Sequence, residues 1–219
     1  MPLSLVVFDL DGTLIDSAAD VANAVNSMLA DLGTGSLALE DVRAMIGDGM
    51  AKLVDRALAA RECTETDPRR AQRLFLSHYE AEPVRATVVY PGVRAALEAL
   101  RRRTVLAICT NKPARLAQVI LEKLQLAEYF ARVVGGDSLP YRKPDPRILA
   151  EILREFGTAR REALMVGDSE VDAATAQAAG VPFVLMTHGY HRGPIHDIAC
   201  LAAIDSFAEL GAVIRALTE

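Results

Sequence analysis

"VVFDLDGTLID", residues 6–16, decides how this chain is read. A hydrophobic run of strand character ends in Asp9 and Asp11, two carboxylates one residue apart, with Gly12 and Thr13 directly after. Alternate residues of an extended chain share a face, so at about 3.3 Å per residue the two acids stand roughly 6.6 Å apart on one side. Gly12 suits a sharp turn just beyond, which can bring the second carboxylate over the first.

Working outward, similar apolar runs recur. "LSLVVFD" (3–9), "TVLAICT" (104–110), "ARVVGG" (131–136), "ALMVGD" (163–168) and "VPFVLM" (181–186) are nearly continuous, as expected of strands covered on both faces. Helical patterns fall between them at 91–102, 112–126, 145–157 and 171–180, the first three opening near a proline and the last closing at Gly180. "SFAELGAVIRALT" (206–218) completes the set. The alternation predicts an α/β fold, a doubly wound, Rossmann-like parallel sheet with crossover helices.

Residues 17–82 break that rhythm with four helical stretches and no good strand: 17–33, 38–47, 49–61 and 67–82. Their apolar faces are enough for a minor core, so they read as a small α-helical cap inserted after the first strand. The expected division is a catalytic core of residues 1–16 plus 83–219 and a cap of residues 17–82. Phe75, Leu74 and Tyr79 on the last of these helices read as cap core.

Composition narrows the class. With 51% apolar residues the chain can bury a sizeable core and is not disordered. A net charge of -5 argues against a nucleic-acid partner, and the one basic run, Arg101 to Arg103, reads as a solvated helix end. Cys63, Cys109 and Cys200 lack any C-x-x-C spacing and read as reduced thiols. The N-terminus has no basic leader, and its apolar run meets Asp9 too early for a signal peptide or a membrane span. A cytoplasmic protein without a membrane partner is expected.

Ligands of parallel sheets bind at the carboxyl ends of the strands. Those ends carry Asp9 and Asp11, Thr110 and Asn111, and Asp168 with Asp172 one helical turn on; a loop after the third strand carries Lys143. Singly, each has a plain reading: a helix cap, a turn residue, a solvated lysine. Clustered carboxylates repel, however, and a fold keeps them only when a cation or proton shares the site. There is no Cys/His set for zinc, whereas Asp9 and Asp168 suit Mg²⁺, with a substrate phosphate in its open positions. Lys143 and the Thr110 hydroxyl then read as phosphate contacts, and the chemistry as phosphoryl transfer. Asp172 stays open between an outer partner of the metal and a first-turn helix charge.

Four motifs, "DLDGT" (9–13), "CTNK" (109–112), "RKP" (142–144) and "GDSEVD" (167–172), resemble in order those of the haloacid dehalogenase superfamily of phosphotransferases. The resemblance implies that Asp9 attacks phosphorus to give an aspartyl-phosphate, and that Asp11 serves as general acid and then as base. It also implies Mg²⁺ on Asp9, the Asp11 backbone carbonyl and Asp168, with Thr110, Asn111 and Lys143 toward the phosphate. Members that cleave carbon–halogen bonds lack an acid at the position of Asp11, so a dehalogenase is not expected.

At finer grain, "DGTLIDSAADVANAVNSML", "IGDGMAKLVDRAL", "AICTNKP" and "VVGGDSLPYRKPDP" resemble the phosphoglycolate phosphatases of that superfamily. Two departures are visible: Gln125 stands where relatives often place a glycine, and "RRRT" lacks the glycine usual before the second strand. The expected function is a Mg²⁺-dependent phosphatase of a small phosphorylated metabolite, 2-phosphoglycolate foremost, acting as a monomer or homodimer. Alternatives are a phosphatase of a sugar phosphate, nucleotide or pyrophosphate, and a sugar phosphomutase; a non-catalytic binding module would lack Asp9. Specificity is expected from the cap, where Gly47 and Gly49 lead into a helix start suited to a second anion and Arg43, Lys52 and Arg56 lie nearby. His188, His191 and His196 fit no helical metal-ligand spacing and read as a solvent-facing loop.

Overall fold

The computed structural model describes residues 3–63 and 65–218; residues 1, 2, 64 and 219, which the expected division includes, lie outside that range. The chain starts with β1 (Leu5–Phe8) and a short β2 (Ile15–Asp16), then runs through α1 (Ala18–Asp31), α2 (Leu39–Arg43), α3 (Met50–Ala60) and α4 (Pro68–Ala81). It returns by β3 (Val88–Val89) to α5 (Val93–Leu100), β4 (Val105–Cys109), α6 (Ala114–Lys123) and β5 (Arg132–Val134). Then follow α7 (Arg147–Glu155), β6 (Ala163–Gly167), α8 (Glu170–Ala179), β7 (Phe183–Met186), β8 (Ala202–Ile204) and α9 (Phe207–Thr218).

Six strands form one parallel sheet in the order β5-β4-β1-β6-β7-β8. The doubly wound α/β architecture is the one the strand and helix alternation predicts. The continuous apolar runs conceal a two-residue period. Val6 and Phe8 join the core under α5, α6 and α9, whereas Leu5 and Val7 face the opposite layer under α7 and α8. Leu106 and Ile108 against Ala107 and Cys109 repeat the pattern in β4. A strand buried on both faces therefore needs apolar residues at every position.

The sequence reading missed three strands. β8 is only Ala202-Ala203-Ile204, too short and too alanine-rich for a propensity signal. β2 and β3 pair antiparallel, with Ile15 opposite Val89, at the point where the chain leaves and re-enters the sheet layer. Two residues each, 72 positions apart in sequence by subtraction of Asp16 from Val88, leave no local signature.

α1 packs on α2, α3 and α4, and α3 on α4, around Val25, Met28, Val54, Ala57 and Phe75. Asp20, in the first turn of α1 and only 3% exposed, ties this unit to its return segment. Its carboxylate accepts the backbone N–H groups of Arg85, Ala86 and Thr87 at 2.8–3.0 Å and the Thr87 hydroxyl at 2.6 Å. The Ser17 side chain does not cap α1. Instead the Tyr190 hydroxyl, from the loop after β7, accepts the N–H of Ser17 at 2.8 Å and of Ala18 at 3.1 Å, and donates to Asp16 at 2.7 Å. No helix among the described residues is long and apolar enough to cross a membrane.

Candidate active site

β1 lies between β4 and β6, and after β1 the core strands are laid down first on one side (β4, β5) and then on the other (β6, β7, β8). A crevice opens at the carboxyl ends where the direction reverses. Asp9 follows β1, Thr110 follows β4 and Asp168 follows β6, so three chain-distant residues reach one place. Gly12 permits it: its backbone turns with φ +83°, and a Cβ there would fall 2.3 Å from Asp168 Oδ2. The turn is closed by Gly12 N–H to the Ile15 carbonyl and by Leu10 accepting from residues 13, 14 and 15; the Asp11 carbonyl receives none of these bonds.

The carboxylates have distinct surroundings. Asp168 accepts from the Thr13 hydroxyl at 2.6 Å and from the Tyr190 N–H at 2.7 Å. Asp172 is spent on structure: Oδ2 accepts from the backbone of Asp168 and Ser169 at 3.2 Å and from the Ser169 hydroxyl at 2.7 Å, closing a capping box on α8. Its Oδ1 takes Lys143 Nζ at 2.6 Å. Lys143 Nζ also stands 2.9 Å from Asp9 Oδ1, an ion pair without hydrogen-bond alignment, so that buried oxygen has no hydrogen-bond donor. Of the two sequence readings of Asp172, the first-turn helix charge is the one the structure bears out, since it sits in the first turn of α8 and closes its capping box; it also pins Lys143.

Burial raises the Asp9 carboxyl to about 7; Lys143 opposes the rise, and the Asp172 charge adds to it. Burial, then the charges of Asp172 and Asp9, push Asp168 well above the ordinary carboxylate range. Burial works against the Lys143 ammonium, but Asp172 and Asp9 more than offset it and hold the group above the usual lysine range. One carboxylate oxygen from each of Asp9, Asp168 and Asp172 lies within 4.8 Å of the others. An all-oxygen, buried, charge-strained donor set fits a hard divalent cation such as Mg²⁺. Asp9, with one oxygen lacking a hydrogen-bond donor, and Asp168, held by one neutral donor on each oxygen, would be the side chains to hold it, whereas Asp172 is bound to the Lys143 ammonium and to the α8 capping box.

Asp11 serves a different neighbourhood. Its Oδ1 accepts from the Ser17 hydroxyl at 2.5 Å and from Lys112 Nζ at 2.7 Å, while Oδ2 has no hydrogen bond among the described residues. Lys112, buried at the end of the β4 loop, also donates to the Tyr79 hydroxyl of α4 at 2.9 Å. Burial disfavours this ammonium too, yet Asp11 and Tyr79 hold it above the usual range. Thr110 is buried, and its hydroxyl accepts the Lys112 N–H at 3.2 Å. The Asn111 amide nitrogen is engaged with backbone, while the residue lines the cleft. It donates to the Gly47 carbonyl at 3.0 Å and to the Lys143 carbonyl at 3.1 Å, joining the helical insertion to the sheet loops.

These groups line a cleft between the sheet edge and α1, α3 and α4, walled by Val21, Ile46, Leu53, Phe75 and Leu116. Gly47, Gly49 and Met50 at the start of α3 contribute to it. A side chain on Gly49 would meet the Asn111 carbonyl at 3.2 Å, so the helix start needs glycine to sit this close.

Three expectations need correction. Arg43 and Lys52 do not enter the cleft: Arg43 donates to the His188 carbonyl at 3.4 Å and lies over the Tyr190 ring, and Lys52 is a largely exposed neighbour of Asp48 at 4.0 Å. Arg56 is bound to Asp48 and the Met45 carbonyl. Tyr79 packs in the helical core, yet its hydroxyl is part of the site. The histidines are not uniformly solvent-facing. His188 stacks on Tyr90 with centroids 4.0 Å apart and His191 bonds to two loop carbonyls, while His196 is exposed; they converge on nothing. Lys112, Ser17, Thr13 and Tyr190 were not singled out, because a lone polar residue at a strand end or helix start has no spacing partner to mark it.

The comparisons agree with this geometry. Residues 6–186 match the haloacid dehalogenase-like hydrolase family. A phosphoglycolate phosphatase of Rhodospirillum rubrum is 45% identical over 215 residues, covering 94% of this chain and 88% of the relative. One from Cereibacter sphaeroides is 45% identical over 217 residues, 97% of this chain and 98% of its own. Among solved structures, a predicted phosphoglycolate phosphatase of Haemophilus somnus superposes with a TM-score of 0.92 at 32% identity, covering 96% of this chain and 97% of that one. With residues 6–186 matching the family and two relatives 45% identical along nearly the whole chain, this chain belongs to the haloacid dehalogenase-like hydrolases and is a phosphatase of that family.

Proposed function

We propose that the protein hydrolyses 2-phosphoglycolate to glycolate and phosphate, with Mg²⁺ as cofactor and Asp9 as nucleophile. The observation that carries this reading is the pair at the end of β1. Asp9 presents a buried carboxylate beside Lys143, and Asp11, whose Oδ2 is unengaged among the described residues, lines the same cleft.

An Asp9 oxygen attacks phosphorus while the bond to the ester oxygen breaks, and Asp11 gives that oxygen its proton as glycolate leaves. Asp11, now a carboxylate, takes a proton from water; the water oxygen attacks the aspartyl-phosphate, the bond to Asp9 breaks, and phosphate is released. Lys143, fixed by Asp172, lowers the charge that would otherwise keep a phosphate from approaching Asp9. Asp9, Asp168 and the uncommitted Asp11 carbonyl would hold Mg²⁺. When bound, the cation neutralises the transferring oxygens and positions them for in-line attack. The Ser17 hydroxyl fixes Asp11, and the apolar walls limit bulk water around the transferring phosphoryl group.

Those walls also favour a small leaving group. A sugar or nucleotide brings hydroxyls or a base needing partners, and Val21, Ile46, Leu53, Phe75 and Leu116 offer none. The test is phosphate release from 2-phosphoglycolate beside sugar phosphates, nucleotides and pyrophosphate, each with Mg²⁺ or EDTA. Metal-dependent release strongly favouring 2-phosphoglycolate is expected; equal release across the panel would overturn the substrate, and release in EDTA would overturn the cofactor.

A further inference from the structure

We propose that Lys112 selects the substrate's carboxylate, so that specificity for an ester of a short α-hydroxy acid is set by the sheet loop after β4 and not by a basic residue of the helical insertion. The proposal rests on the phosphoglycolate reading and adds its recognising group.

Arg43, Lys52 and Arg56 are turned away or bound elsewhere. Among the residues lining the cleft, Lys112 is the one basic side chain. Its ammonium has three N–H donors, of which Asp11 Oδ1 at 2.7 Å and Tyr79 Oη at 2.9 Å take two. Orienting Asp11 does not require a cation, because the Ser17 hydroxyl already binds the same Oδ1 at 2.5 Å. A buried ammonium is costly to retain, and here it stands at a cleft whose helical side is walled by Val21, Leu53 and Phe75. Tyr79, whose ring also lies 4.7 Å from Nζ, holds it at that spot.

Position then dictates the ligand. Asp11 must reach the ester oxygen to protonate it, and Lys112 Nζ is one hydrogen bond from Asp11. The ammonium therefore lies roughly 5–8 Å from the ester oxygen, two hydrogen-bond lengths plus the width of the Asp11 carboxylate. A carboxylate one carbon from that oxygen, with its own hydrogen bond to Nζ, falls within that range. An anion held there meets the third N–H.

The experiment compares kcat/KM for 2-phosphoglycolate with that for ethyl phosphate, the same two-carbon ester without the carboxylate, in the native enzyme, Lys112→Met and Lys112→Arg. Both substrates share any loss that comes from disturbing Asp11, so the ratio isolates the carboxylate. Loss of a charge-assisted hydrogen bond should collapse the ratio about 30-fold or more in Lys112→Met, with part of it restored in Lys112→Arg. A ratio that survives Lys112→Met while both substrates slow together would overturn the role of Lys112 and leave the phosphoglycolate reading standing. A native enzyme that does not prefer 2-phosphoglycolate to ethyl phosphate would overturn both. Should Lys112→Met fail to fold, the native enzyme decides through chain length: 2-phosphoglycolate is expected to exceed the phosphate ester of 3-hydroxypropionate by about tenfold or more, and equal turnover of the two contradicts the proposal.

Discussion

Asp9 has two requirements that oppose each other. It must be anionic to attack phosphorus, yet the interior that excludes water raises its carboxyl to about 7, chiefly by burial. For an acid whose folded value lies above the unfolded one of about 4, the native state binds the extra proton between those values, so stability falls as pH rises through about 7. Without metal, the protein should therefore lose stability between about pH 4 and pH 7 and level off above that, and Mg²⁺ should remove most of that loss. Asp9→Asn has no charge to bury. We expect it to be more stable than the native chain in EDTA at pH 8, on the order of 2–4 kcal/mol, while being inactive. Thermal unfolding across pH with and without Mg²⁺ checks this; a destabilised Asp9→Asn would mean that Lys143 needs Asp9 more than burial opposes it. At this scale the sequence was informative where residues repeat a motif: Asp9, Asp11, Thr110, Lys143 and Asp168 all reach the site. It was silent on the pairing of Lys112 with Tyr79, which is across 33 positions and depends on how α4 packs.

Among the elements, the strands and helices were legible because burial on both faces forces unbroken apolar runs. The elements missed are those whose cause is tertiary. β2 and β3 exist because the two connectors lie side by side, and α1 is capped by Tyr190 instead of by its own Ser17. The Gln125 departure has a physical correlate: its backbone is left-handed, φ +54°, in the turn after α6, where glycine would be unstrained. The junction between α1 and the return segment at residues 85–87 rests on Asp20. Burial alone would raise its carboxyl, but the Thr87 hydroxyl and the N–H groups of Ala86, Thr87 and Arg85 outweigh it and hold the group below the usual range. A depressed folded value contributes stability above the unfolded value of about 4 and loses it as pH falls through the folded one. Asp20→Asn should cost about 1–3 kcal/mol at pH 7, and the gap from the native chain should narrow below pH 4. Urea unfolding of both chains at pH 7 and pH 3.5 measures it; a gap that does not depend on pH would show that geometry, not charge, is what Asp20 supplies.

Across the whole molecule, the helical insertion is fastened over the sheet edge by contacts from several directions. Asn111 holds the Gly47 carbonyl; Arg192 donates to the carbonyls of Ala44 and Ile46 and to Asp48; Lys112 meets Tyr79. These fasteners explain why the basic residues of the insertion, which the sequence suggested for substrate binding, are used elsewhere. Arg43 and Arg56 brace the same 43–48 segment against its neighbours. Charge type could be read from sequence; direction could not, since it follows from how the insertion docks. What the closed arrangement encloses is Asp9, and its role is the central claim. The most direct measurement is rapid acid quench of the Mg²⁺ enzyme with 2-phosphoglycolate, followed by peptide mass spectrometry. One phosphoryl group should appear on the peptide carrying Asp9 and be absent from Asp9→Asn. Turnover with no phosphoryl group on that peptide at any quench time, or with the group on another residue, would contradict it.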